Sequence, residues 1–260
     1  MTSMISPVDR ERAFTAIAEQ AGRLVDAIRS VEDPSTVPVP SCPDWSLHDL
    51  AVHLGIVYAW VAVVVKTDPD DRPGRRELPR PAEGEPVGDY LLARLDEVLG
   101  TLKAVPDDAL RWNFVAGGRA PASFWWRRQL HETAIHRVDA ELATGLPVTA
   151  FEPVLAADGV SEYLELMGYG EGTWDALEIG DGFSIHLHAT DLPEAEWTVD
   201  SKNRTYARAH LKADVALRGP AWSLMRWCWG RIPTAPDALV SEELQLFGDA
   251  GAAESWRPSR

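Results

Sequence analysis

The sequence predicts an α+β protein, with a helical N-terminal part and a mixed C-terminal part. Apolar residues recur at helical spacing in four segments of the first ~150 residues. After residue 147 the pattern changes, and short stretches alternate apolar and polar side chains as strands do. With 45% hydrophobic and 25% charged residues among 260, the chain has the composition of a globular protein. We therefore expect two domains, residues 1–147 and residues 148–260.

The first two helices are separated by a proline-rich connection. Apolar positions on one face predict a helix over residues 8 to 30. Residues 33 to 44 contain four prolines, which favour an extended segment. Ser46 followed by Asp49 has the pattern of a capping box and predicts that a second helix begins there and runs to about residue 65.

Two more helices complete the predicted N-terminal domain. Residues 67 to 86 are charged and rich in proline and glycine, which indicates a surface loop. Helical periodicity returns over residues 87 to 104 and residues 122 to 143, and Gly145 is placed to end the last helix. Four helices with some long connections predict an antiparallel four-helix bundle.

The C-terminal part has the pattern of a small α+β domain. Residues 221 to 229 are predicted to form a helix that packs on a sheet. The predicted strands are residues 183 to 188, 196 to 199, 211 to 217 and 244 to 247.

Charge and composition exclude several kinds of partner. The net charge of −15 disfavours nucleic acid and anionic membrane surfaces. The longest apolar run is too short to span a bilayer, and there is no signal peptide pattern, so we expect a soluble, cytoplasmic protein. The sequence leaves open whether it is a monomer or a homodimer. Cys42 and Cys228 are too far apart in the chain to suggest a disulfide framework or a thiolate metal site.

A metal site is predicted from one helical turn and one isolated histidine. Glu132 and His136 are four residues apart, so they lie on one face of the fourth helix. His53 is the polar exception on the apolar stripe of the second helix. If the two helices face each other, these residues supply two nitrogens and one oxygen, the ligand count of a catalytic Zn²⁺ with an open position.

Each of these histidines has an alternative interpretation. A lone histidine on an apolar face is more often a hydrogen-bonded core residue than a ligand. His131 is an alternative ligand, but it lies ~100° around the helix from Glu132. Asp139 either accepts a hydrogen bond from His136 or is a surface carboxylate. His186 and His188 share one strand face, which suggests either a second metal site or, more commonly, two solvent-facing side chains.

Two segments resemble the signatures of the mycothiol-dependent maleylpyruvate isomerase family. They are SCPDWSLHDLAVHLG, which ends at Gly55, and RRQLHETAIHRVDAE, which ends at Glu141. The resemblance implies a DinB-like metal-binding bundle followed by a sterol-carrier-like α/β domain. It assigns a divalent metal, Zn²⁺ or another, to His53, Glu132 and His136, the residues already selected by spacing. It also implies mycothiol as the thiol cosubstrate.

The family resemblance implies a thiol-dependent reaction on a small acidic or electrophilic molecule. An activated thiolate would add to an unsaturated dicarbonyl acid and isomerise its double bond from cis to trans. The same thiolate could instead displace a leaving group, which would make the protein a mycothiol S-transferase. A non-catalytic small-molecule-binding or regulatory protein is the third possibility, but the retention of all three ligand residues favours an enzyme.

The resemblance also bears on Arg231 and Cys42. The segment from Trp227 to Arg231 resembles a Trp-Gly-Arg segment of the family, whose arginine is implied to hold a substrate carboxylate. A structural salt bridge is the alternative for Arg231. Because mycothiol would supply the reactive thiol, Cys42 is expected to be a buried structural residue.

Overall fold

A computed structural model describes residues 8–75, 77–114, 118–167 and 182–256. These residues form helices and three small sheets, which confirms the α+β class. The chain divides into two compact units, Asp9–Thr149 and Ala150–Arg260.

The first unit is a four-helix bundle. Helix α1 packs on α3 and α4, and α2 also packs on α3 and α4, so each helix has two main neighbours around a shared core. The four predicted helices are confirmed to within a few residues: α1 is Arg10–Arg29, α2 is Leu47–Lys66, α3 is Val87–Lys103 and α4 is Ser123–Thr144.

Local sequence signals fix the start of α2 and the end of α4. At the start of α2, the Ser46 hydroxyl accepts a hydrogen bond from the Asp49 amide at 3.2 Å, and the Asp49 carboxylate accepts one from the Ser46 amide at 3.0 Å. Helix α4 ends at Gly145, whose φ of 70° lies in the left-handed region that glycine adopts without strain.

Two small hairpins flank these helices, and the sequence analysis predicted neither. In the proline-rich connection, β1 (Pro38–Val39) pairs with β2 (Cys42–Ser46), and β1 also contacts α4. Between α3 and α4, β3 (Leu110–Trp112) pairs with β4 (Arg119–Pro121). The first hairpin brings the segment before α2 next to α4.

Helix α2 is long and apolar enough to cross a membrane when judged by length and composition alone, so the prediction that no apolar run is long enough is wrong on that criterion. However, 67% of the relevant window is buried inside the protein. Its apolar character therefore matches the needs of a core helix packed between α3 and α4.

The second unit is built on a five-stranded sheet in the order β7-β6-β5-β8-β9. Neighbouring strands are antiparallel except β5 and β8, which are parallel. The strands are β5 (Ser184–Ala189), β6 (Glu196–Asp200), β7 (Thr205–Ala207), β8 (Val215–Gly219) and β9 (Gln245–Phe247).

The predicted strand over residues 211 to 217 is wrong at its start. The Thr198 hydroxyl of β6 donates to the carbonyl of Ala209 at 2.8 Å and accepts from the amide of Leu211 at 3.2 Å. These bonds hold residues 209 to 211 against β6, so the β8 ladder begins only at Val215.

Helices cover one face of this sheet. Ile185, Leu187 and Trp197 are fully buried on that face, and α6 contacts both β5 and β8. The opposite face carries His186 and His188, because side chains alternate along a strand. The helices of the unit are α5 (Pro153–Leu166), α6 (Ala221–Cys228), α7 (Pro236–Ser241) and α8 (Ala250–Trp256), of which only α6 was predicted.

Candidate metal centre

The bundle brings the three predicted ligand residues together. His53 extends from α2, and Glu132 and His136 extend from the neighbouring α4. Glu132 Oε1 lies 3.6 Å from His53 Nε2 and 3.3 Å from His136 Nε2. His131 is fully buried and does not belong to this cluster.

The spacing of these atoms suits a small divalent cation. In a tetrahedral zinc site with bonds of about 2.1 Å, neighbouring donor atoms are about 3.4 Å apart. The two distances from Glu132 Oε1 are close to that value, and the three donor atoms all lie within 4.8 Å of one another. Two imidazole nitrogens and one carboxylate oxygen are also ligand types that zinc accepts in catalytic sites. The three residues therefore fit a metal ion with one position left open.

Asp139 orients the His136 ring. His136 Nδ1 lies 2.9 Å from Asp139 Oδ2, and the other carboxylate oxygen accepts a hydrogen bond from the Ser41 hydroxyl at 2.5 Å. Asp139 is fully buried, so its interpretation as a surface carboxylate is wrong. Because the carboxylate accepts the proton on Nδ1, Nε2 is the ring nitrogen that faces Glu132 and His53.

Arg128 holds Glu132 from the other side. One turn earlier on α4, its guanidinium pairs with Glu132 Oε2, which leaves Oε1 facing the two histidines. Burial alone would raise the pKa of Glu132. The positive charge of Arg128 and hydrogen bonds from His136 and His53 outweigh that effect and hold the pKa well below its usual value. Glu132 is therefore ionised, which is the form of a carboxylate that binds a metal.

His136 carries a proton when no metal competes for it. Burial alone would lower its pKa, but hydrogen bonds to Asp139 and Glu132, together with their negative charges, raise the pKa to about 9. A metal ion would take the place of that proton at Nε2, because only a neutral imidazole nitrogen binds a metal.

Besides Arg128, the structure places two more residues near the centre that the sequence pattern does not select. The Trp45 ring lies 4.6 Å from the His53 ring and 6.5 Å from the His136 ring, measured between centroids. The Arg75 guanidinium lies 4.0 Å from the ring centre of Trp60, and the charge of Glu132 acts on it. Trp45 stands in the first signature segment and could have been found there, whereas Arg75 lies in a loop without a readable pattern.

Arg231 and Cys42 lie in different units. Arg231 follows α6 in the second unit, and its guanidinium donates a hydrogen bond to the carbonyl of Trp229 at 2.6 Å. Its role as a carboxylate clamp stays a prediction. Cys42 lies in β2 and is only half-buried, so its expected full burial is wrong. Neither cysteine forms a disulfide.

Comparisons with known proteins identify the family. The model of the mycothiol maleylpyruvate isomerase N-terminal domain matches residues 14–141, and that of the corresponding C-terminal domain matches residues 154–255. No curated protein sequence matches the chain significantly.

Two solved structures share the fold of the chain. They are crystal structures of the mycothiol-dependent maleylpyruvate isomerase, with a TM-score of 0.59, and of its histidine-to-alanine mutant, with a TM-score of 0.61. Each is 12% identical to this chain, and each alignment covers 94% of this chain and 95% of the other. Because the two family models together span most of its length, the chain belongs to the mycothiol maleylpyruvate isomerase family.

Proposed function

We propose that the protein is a divalent-metal-dependent and mycothiol-dependent isomerase of a small unsaturated dicarbonyl acid. The convergence of His53, Glu132 and His136 on one point carries this proposal, since those residues can hold a metal ion with an open position. Family membership supports mycothiol as the thiol.

The residues of the chain would prepare the site for a thiol. When bound, a divalent ion such as Zn²⁺ supplies a Lewis acid that lowers the pKa of a thiol at its open position. Asp139 and Arg128 fix the orientations of His136 and Glu132, and the Trp45 ring shields His53 on one side. Such fixed orientation is what a reactive site requires.

The proposed reaction consumes no thiol. The thiolate of mycothiol adds to one carbon of the conjugated cis double bond, so a carbon–sulfur bond forms and the double bond becomes single. The intermediate rotates about that single bond. Expulsion of the same thiolate breaks the carbon–sulfur bond and restores the double bond in the trans form.

An anionic substrate must approach a protein of net charge −15, whose average field repels it. A positively charged side chain next to the site would attract the substrate despite that repulsion. Arg75 is one candidate, since its guanidinium contacts the ring of Trp60 on α2 and interacts electrostatically with Glu132. Arg231 is the second candidate, on the family resemblance. A guanidinium fork matches a carboxylate in bidentate geometry.

A single assay separates the proposed isomerase from an S-transferase. The zinc-loaded protein is mixed with mycothiol and maleylpyruvate, and the loss of the cis acid and the total thiol are followed together. We expect the cis acid to disappear while total thiol stays constant. A fall in thiol that matches the loss of an electrophile would indicate a transferase. No turnover with maleylpyruvate or any electrophile would contradict an enzymatic role.

A matched pair of histidine variants tests whether the metal centre is responsible. His53→Ala removes one proposed ligand from α2, whereas His48→Ala removes a half-buried histidine of the same helix that lies outside the cluster. We expect the first variant to lose at least 100-fold in kcat/KM and the second to lose little, since a direct ligand matters more than the supporting residues whose loss costs about 10- to 100-fold.

A further inference from the structure

A second group of metal-binding side chains lies in the second unit. It consists of His186 and His188 on β5, Glu196 on β6 and His210 in the segment after β7. One ligand atom from each residue lies within 4.8 Å of all the others. The group shares no residue with the bundle centre.

The sheet register explains why these residues meet. His188 is paired with Glu196 across the antiparallel β5–β6 ladder, and His186 is paired with Thr198 two residues along. Paired residues of neighbouring strands point to the same face. The hydroxyl of Thr198 bonds the backbone on both sides of His210, which places that histidine next to the other two.

Glu196 occupies the middle of the group. One carboxylate oxygen is hydrogen-bonded to His188 Nδ1, and the other lies 3.1 Å from His210 Nδ1 and 3.8 Å from His186 Nε2. The last two distances bracket the spacing of about 3.4 Å between neighbouring donors in a tetrahedral zinc site. The rings of His186 and His210 are 4.6 Å apart at their centroids.

The environment of His186 Nε2 independently indicates that an ion binds here. The residue is only 7% exposed, so the idea that both strand histidines face solvent is wrong for this one. Within the described residues, its Nε2 atom has no hydrogen-bond partner, because 3.8 Å to Glu196 is too long. A buried polar atom without a partner is unfavourable, and a bound cation would satisfy it.

We propose that His186, His188, His210 and Glu196 form a second divalent-cation site, with Zn²⁺ as the ion it fits best. Three imidazole nitrogens and one carboxylate oxygen complete a four-coordinate shell, in contrast to the three ligands of the bundle. A closed shell leaves no position for a thiol, so this site would be structural. It would tie β5 and β6 to the segment that carries His210.

Zinc binding to full-length variants tests this site separately from the bundle centre. The reference protein is the His53→Ala variant, which weakens the bundle centre and leaves the second unit unchanged. Adding His210→Ala removes a ligand whose side chain is 73% exposed, so the fold should tolerate the change. Adding His48→Ala instead is the matched control.

In equilibrium dialysis against Zn²⁺, we expect the reference and the His48→Ala control to bind about one ion per chain, and the His210→Ala variant to bind it at least tenfold more weakly. Substitution with Co²⁺ should give the visible absorption of a tetrahedral site in the first two proteins only. Equal zinc affinity in all three proteins, or no zinc bound by the folded reference, would overturn the proposal. If His210→Ala fails to fold, His188→Ala replaces it. We then expect the same loss of zinc affinity, and an unchanged affinity would overturn the proposal.

Discussion

Asp139 decides which nitrogen of His136 faces Glu132 and His53. The carboxylate is fully buried, bonded to His136 Nδ1 and held by the Ser41 hydroxyl of the β1–β2 turn. The sequence alone left the role of Asp139 open. A spacing of three residues from His136 places Asp139 on nearly the same side of α4, but it does not show whether that side is buried. The tertiary contact with Ser41 resolves the question.

The first prediction concerns this orienting carboxylate. Asp139→Asn should keep the fold but weaken Zn²⁺ binding at the bundle centre by about 10- to 100-fold, because the amide is a poorer acceptor for the proton on Nδ1. Competition titration with a zinc chelator measures the change. Asp89→Asn, on an exposed carboxylate that pairs with Arg29, is the control and should leave the affinity unchanged. Equal affinities in the two variants would show that Asp139 does not support the metal.

The second prediction concerns the proton on His136. With its pKa raised to about 9 in the metal-free protein, the ring is protonated near neutral pH and must lose that proton when the metal binds. Zinc affinity should therefore rise with pH up to about 9 and level off above it. Calorimetry in two buffers of different ionisation enthalpy should show release of about one proton per ion. Release of none would contradict the assigned protonation state.

Helices α2 and α4 were predictable because their own sequences specify them. The capping box at Ser46, the glycine at Gly145 and the apolar periodicity are all local signals. The two hairpins, α5 and the true start of β8 were not predictable in this way. Short strands depend on tertiary partners, as the bonds from Thr198 to residues 209 and 211 show.

In the candidate metal centre, too, some residues could be predicted from local sequence and others could not. Glu132 and His136 lie on one helix, so their spacing alone predicted them. His53 was selected because a four-helix bundle can bring the second helix next to the fourth. Arg128 is one turn before Glu132 on α4, so helical spacing could also have selected it. Trp45 and Arg75 lie outside the helices, where helical periodicity places no side chain.

The third prediction tests the packing of α2 against α3, two residues from His53. A Cβ atom added at Gly55 would lie 2.3 Å from the Tyr90 ring, and Tyr90 is buried and donates a hydrogen bond to the carbonyl of Pro79. Gly55→Ala should therefore lower the free energy of unfolding by about 1–3 kcal/mol.

Gly100→Ala provides the matched control for this packing test. It lies on α3 with nothing within 4 Å of the added atom, so this substitution should stabilise the helix by about 0.5–1 kcal/mol. Urea denaturation of both variants measures the difference. A Gly55→Ala protein as stable as the Gly100→Ala protein would mean that α2 and α3 are not closely packed at this point.

At the scale of the whole molecule, the proposed acidic substrate would have to bind a protein of net charge −15. The proposed solution is a local cation, which changes substrate binding without changing metal content. Two arginines are candidates for carboxylate binding. Arg231 is chosen from the family resemblance, and Arg75 from its electrostatic interaction with Glu132 and its contact with Trp60.

The fourth prediction separates these two arginines. Loss of the carboxylate-binding residue should raise KM for an acidic substrate by tens-fold or more and leave a neutral electrophile and zinc content unaffected. Steady-state kinetics of Arg75→Ala and Arg231→Ala decide between them. Arg72→Ala and Arg218→Ala, both at exposed positions, are the respective controls. An equal loss on acidic and neutral substrates would argue against a carboxylate clamp in either position.

The proposed function requires the bundle centre to bind mycothiol as a thiolate, and cobalt substitution tests this binding most directly. A thiolate bound to Co²⁺ gives a charge-transfer absorption that a free thiol does not. We expect this band to appear when mycothiol is added to the Co²⁺-loaded wild-type protein and its His48→Ala variant, and to be absent from the His53→Ala variant. The absence of the band in the wild type, or its persistence at full strength in His53→Ala, would contradict the account.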